Sequence, residues 1–191
     1  MSTTRRTVLA IAGTGIMAAL GACARRADTV TPGRAGGDHN QADVMFSMMM
    51  IPHHEQAVEM ADLVPTRSTD AELLTLAENV KKAQQPEIEQ MEAWLRDWGQ
   101  SSMGMDHSGH GGMGGMMSQA DMDELEASKG TDFDRNWVAM MIEHHEGALD
   151  MAEAVKKDGK HQGTRVLADA IIVGQTKEIA QMKAMLTRYG S

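Results

Sequence analysis

Aromatic residues are scarce: two Phe, three Trp and one Tyr in 191 residues. The chain is long enough for one domain of ordinary size, but its core cannot rest on ring packing. Cysteine occurs once, at Cys23. One thiol excludes both a disulfide framework and a thiolate metal site within the chain. Basic residues are outnumbered, 18 Lys and Arg against 27 Asp and Glu, for a net charge of −9. That balance argues against a nucleic-acid partner and favours cations. No nucleophile triad, phosphate loop or nucleotide fingerprint occurs. The one uninterrupted stretch of apolar and small residues, 8 to 20, is too short to span a bilayer comfortably.

That stretch has the form of an export signal. Arg5 and Arg6 precede it, and it ends in Leu20-Gly21-Ala22-Cys23. Small residues before a cysteine resemble a lipoprotein cleavage box. Residues 1–22 are therefore expected to be a lipoprotein-type signal peptide, with Cys23 as the lipidated first residue of a cell-envelope protein on the extracytoplasmic face. The plain alternatives are an uncleaved anchor or a secretory signal. The paired arginines also permit export as a folded protein. Processing removes Arg5 and Arg6 and no acidic residue, so net charge goes from −9 to −11. Residues 23–40, rich in Gly and Arg with little apolar content, form a flexible tether.

Methionine is what the chain has in excess: 19 residues, all but Met1 and Met17 beyond residue 22. Met is a flexible filler of cores, but here it clusters around histidine. Met48-Met49-Met50-Ile51-Pro52-His53-His54-Glu55 has a second copy in Met140-Met141-Ile142-Glu143-His144-His145-Glu146. An offset of 91 residues aligns His53 with His144, His54 with His145 and Met60 with Met151. It also aligns Asp43 with Asp134, Phe46 with Trp137, Gln84 with Gln175 and Met91 with Met182.

Helical periodicity divides each copy in two. The first helix covers about residues 41–63, with Phe46, Met49, Met50, His53, Ala57 and Met60 on one stripe and His54 on its shoulder. Asp43 suits its N-cap or first turn, and Pro52 predicts a kink or a fresh start near Met49. A turn at 65–70 leads to a second helix, about 70–98, whose inner face carries Leu73, Val80, Gln84, Ile88, Met91 and Leu95. A short helix at 118–128 precedes a long one at about 132–157, striped by Trp137, Met140, Met141, His144 and Met151. The last runs from about 164 to 189 through Leu167, Ile171, Gln175, Ile179 and Met182. The expected fold is all-α: a ferritin-like four-helix bundle over residues 41–190, made of two duplicated hairpins, 41–99 and 119–190. Residues 100–118 between them form a flexible insert.

On this reading His53 and His144 point into the bundle. Met49, Met50, Met60, Met140, Met141 and Met151 surround them, and Met91 and Met182 face them. Thioether and imidazole together suit Cu(I), with Ag(I) alike. His54 and His145 can join the site, orient its ligands or receive ions. The bland reading is a Met-filled core with satisfied histidines, which duplication alone preserves. The insert is less easily explained by packing. Met103, Met105, His107, His110, Met113, Met116 and Met117 lie among glycines in fifteen residues that bury no face. Such a segment has no packing use for five methionines, and flexible Met/His loops capture soft ions. Affinity should fall with pH as imidazoles protonate.

The repeated Met-Met-Ile-x-His-His-Glu, with an acidic and an aromatic residue upstream and Met-Ala downstream, resembles domain-of-unknown-function family 305 over about residues 41–190. The resemblance implies a ferritin-like helical bundle, often exported, with some members linked to copper binding and resistance. It places motif residues at Met49, Met50, His53, His54 and Met60, and at Met140, Met141, His144, His145 and Met151. The insert is not carried from the family. The leading expectation is an extracytoplasmic copper protein, without enzymatic activity, for sequestration, tolerance or delivery. Its partners would be metal ions, the membrane through its lipid, and a copper transporter or metallochaperone. A di-metal oxidase is the first alternative, but neither copy has Glu three residues before its inner His, as that chemistry requires. A metal-free, membrane-tethered interaction module is the other.

Overall fold

The computed structural model describes residues 38–100 and 114–190. The signal peptide, Cys23, nearly all of the tether and insert residues 101–113 lie outside that range. Five helices follow in order: α1 Gln41–Arg67, α2 Ala71–Asp97, α3 Gln119–Ala127, α4 Gly130–Asp158 and α5 Gln162–Tyr189. The α1–α2 and α4–α5 hairpins are the most extensively packed pairs, and α1 crosses onto α4. This is the four-helix bundle expected, with α3 as the short helix before the second hairpin. No described helix is long and apolar enough to cross a membrane.

Side chains set the helix starts. Asn40, not Asp43, is the N-cap of α1. Its Oδ1 accepts the Ala42 and Asp43 N–H groups, and Asp43 returns the bond to Asn40 N in a capping box. Asp70 caps α2, Ser118 caps α3 and the His161 ring caps α5. Asp70 and His161 are themselves 91 residues apart. The α1 helix passes through Pro52 without restarting and continues past Pro65 to Arg67, four residues beyond the expected end. Each proline deletes one backbone bond, yet α1 continues through both, with buried Ile51 and His53 flanking Pro52 and buried Val64 preceding Pro65.

Asp43 does more than cap. It is fully buried, and its Oδ2 accepts the backbone N–H of Lys160 and of His161, each at 3.0 Å. The first helix of one hairpin is thereby tied to the loop of the other. Asp134, its counterpart, lies against Ser68 in the α1–α2 loop, and burial raises its pKa.

The core is not continuous. One apolar cluster joins Met60, Val64, Leu73, Leu76, Trp137 and Met182 near one end. The other joins Phe46, Met50, Ile88, Met91, Val155 and Ile171 near the opposite end. Between them every long helix places polar residues: His53 and His54, Gln84, His144 and His145, and Gln175, all buried. This polar waist lies where the pseudo-twofold relates α1 to α4.

Replacing Asp43 by Ala leaves the Asn40, Lys160 and His161 donors without that acceptor. Urea unfolding of Asp43→Ala should show a loss of about 3 kcal/mol, as for a buried hydrogen-bonded carboxylate.

Candidate metal centre

The waist begins with two imidazoles on each of the crossing helices. His53 and His144 pack ring to ring, with centroids 3.7 Å apart and planes inclined by 38°. Neither Nδ1 nor Nε2 of either ring has a hydrogen-bond partner. Buried nitrogen without a partner is unfavourable by about 1–3 kcal/mol per group, so these four atoms are out of keeping with a purely structural core.

His54 and His145 are not on a shoulder: both are fully buried. A residue on the next helix closes over each, a contact that the stripe of a single helix does not show. His54 Nε2 lies 2.8 Å from Glu87 Oε2, and His145 Nε2 lies 2.7 Å from Glu178 Oε2. Glu87 and Glu178 were not anticipated. They do occupy equivalent positions, each three residues after the repeated glutamine. A carboxylate can only accept here, so it fixes the proton on Nε2 and leaves the lone pair on Nδ1. Those two Nδ1 atoms are buried and also without partners. This is the arrangement in which an outer carboxylate orients a ligating histidine.

Burial dominates the electrostatics. It pushes the His53 pKa down to about 3, with help from neighbouring His54 and His145. The Gly114 backbone opposes this slightly but makes no well-aligned bond to either ring nitrogen. His144 is driven well below the ordinary range by burial, then by His53, His145 and His54. Both rings are neutral at pH 7, with lone pairs available. Among the described residues no three His, Cys, Asp or Glu side chains converge on one point. A two-coordinate d10 ion needs no such convergence, whereas a hard divalent ion does.

The methionines divide. Met50 and Met91 are fully buried in one apolar cluster, and Met60, Met141 and Met182 in the other. Met49, Met140 and Met151 are half-buried at the perimeter. The sequence grouped all eight around the histidines; the structure distributes them above, below and outside the waist. Of the insert residues, Met116 is half-buried and Met117 is buried in the cluster that holds Met60 and Trp137. Met103, Met105, His107, His110 and Met113 lie outside the described residues.

The end of the insert is fastened over the waist. Gln56 on α1 grips the Met117 backbone twice, donating to its carbonyl at 2.9 Å and accepting its N–H at 2.8 Å. On α4 the equivalent position is Gly147, and there Gly114 and Gly115 lie directly on the helix. Gly115 has φ +84°, and a Cβ on it would come within 2.9 Å of the His144 carbonyl. Backbone rests on backbone because both partners lack side chains.

The sequence matches the family described as domain of unknown function DUF305 over residues 43–186. The chain belongs to this family. Its fold matches a DUF305 fragment from Deinococcus radiodurans at 31% identity, covering 78% of this chain and 97% of that one, with a TM-score of 0.72. It also matches CopM in the Cu(II)-bound form, at 34% identity over 77% of this chain and 97% of that one, TM-score 0.67. The Cu(I)-bound form of CopM matches at 30% identity over 78% and 98%, TM-score 0.64. CopM has been solved with silver as well. No curated protein matches the chain.

Two outcomes follow from the waist and its strap. A histidine whose folded pKa is lowered binds a proton more readily when unfolded, so stability is complete above the unfolded value near 6.5 and is lost as pH falls from there towards about 3. The metal-free protein should therefore show a falling thermal midpoint between about pH 7 and pH 4.5, and His53→Gln with His144→Gln should flatten that fall. Separately, Gly147→Ala drives a Cβ onto the Gly114 carbonyl. Limited proteolysis should then cut within residues 114–118 faster than in the wild type.

Proposed function

We propose that this protein binds Cu(I), and Ag(I) alike, in the histidine waist of its bundle, as a carrier rather than a catalyst. The observation that carries this reading is the set of six buried imidazole nitrogens without partners, two of them on rings oriented by carboxylates. His54 and His145 offer Nδ1 as donors; His53 and His144 are neutral and adjacent. Soft monovalent copper accepts few, neutral, nitrogen or sulfur ligands, and the waist supplies these away from water. The copper-bound and silver-bound forms of CopM support the same choice of metal. The buried methionines above and below provide a polarizable, apolar setting that disfavours hard ions.

The leader-like residues 1–22 and Cys23 support a setting outside the cytoplasm, on a lipid-tethered protein. There sequestration, or delivery to a transporter or metallochaperone, is the role. The Met/His residues of the insert, from Met103 to Met117, serve as the capturing segment, joined to the waist through Met117 and Gln56.

Cu(I) titration against a colorimetric chelator tests the proposal. The intact protein should compete successfully. His54→Ala with His145→Ala should abolish the tightest binding, and Glu87→Gln with Glu178→Gln should weaken it about 10- to 100-fold. Failure of the intact protein to compete would refute copper binding. Full retention in the double histidine variant would move the site out of the waist.

A further inference from the structure

The duplication gives each surface an internal control. On one side of the pseudo-twofold the seam between α1 and α4 is covered. There Met122 and Leu125 of α3, with Met117, pack in the cluster that holds Met60, Phe133 and Trp137. On the other side the equivalent seam is an open groove of about 340 Å³. Phe46 stands there for Trp137, and Met151 for Met60. Met45 and Met49 of α1 and Met151 of α4 line the groove, and Asp150 and Asp158 also border it.

We propose that this groove is a second metal site, built from thioether sulfurs alone, for a monovalent soft cation such as Ag(I) or Cu(I). Three thioethers from two helices share one cavity that holds no imidazole or thiolate. All three are half-buried, so an ion from solvent reaches their sulfurs, unlike those of fully buried Met50 or Met91. Methionine has three freely turning bonds, which let sulfurs from facing helices meet on one ion. The carboxylates of Asp150 and Asp158 are exposed and attract cations without the softness to hold this one. The copies differ at this position: Met45 of the open side has Asn136 as its counterpart on α4. The groove does not depend on the waist. It needs no deprotonated nitrogen, so it should retain its ion under mildly acidic conditions.

The test uses the purified full chain with 13C-labelled methionine methyls, titrated with Ag(I) at about pH 5, below the ordinary imidazole range. The methyl resonances of Met45, Met49 and Met151 should shift together. Met49→Leu with Met151→Leu, which keeps the apolar volume, should retain one equivalent of Ag(I) less through dialysis. The same shifts should appear in a His54→Ala, His145→Ala background, which separates this site from the waist. Shifts confined to other methionines, unchanged retention in the leucine variant, or loss of the groove shifts in the histidine background would each overturn the proposal.

Discussion

The hydrogen bond from a buried histidine to a glutamate on the neighbouring helix is the constraint on which the rest of this structure depends. It occurs twice, His54 to Glu87 and His145 to Glu178. Each bond joins the two helices of a hairpin at mid-height and fixes one imidazole tautomer. Between the bonds sit two further rings with nothing to bond to. An apolar waist would make a more stable bundle, because unpartnered polar atoms weaken a core. The departure from the simplest packing is confined to one layer and occurs in both copies. Local stability is given up where the imidazole nitrogens are gathered.

The fold was legible because duplication wrote each signal twice. The 91-residue offset named both hairpins, and the inner face of α2 from Leu73 to Leu95 was read correctly. Helix ends were less legible. Prolines at 52 and 65 advertised breaks that packing overrode, and Asn40 outranked Asp43 as cap because the Asp43 carboxylate reaches across to the other hairpin. On α5 the buried stripe passes through Ala168 rather than Leu167 and goes on to Met185, a small rotation that only the neighbouring helices decide. In the site, the histidines were visible from spacing alone. Their carboxylate partners were not, since a stripe calculation treats one helix at a time. Glu87 and Glu178 nonetheless carried a signal: the same Gln-x-x-Glu at the same offset, on a face otherwise taken as core. Sequence proximity groups the methionines with the histidines and cannot tell which lie buried in the two apolar clusters and which at the perimeter.

Two nearly equivalent halves end in unequal surroundings. The strap and α3 cover one side of the α1–α4 seam, and the other side stays accessible among the described residues. Gln56 and Gly147, equivalent by offset, show how the asymmetry is built. One position became a clamp for the Met117 backbone and the other lost its side chain so that the chain could lie flat. The segment richest in Met and His thus ends directly over the waist.

The carboxylate ties at Asp43 and Asp134 have a consequence for ancestry. Each runs from the first helix of one hairpin to the loop of the other, and the histidine pair itself contains one ring from each half. A chain of half this length would carry one side of every such contact and could complete none alone. It would have to meet a second copy across a twofold axis, and both its folding and its ring pair would then depend on protein concentration. Joining the halves in one polypeptide turns that encounter into a unimolecular event. The fused chain keeps its central layer assembled at any dilution.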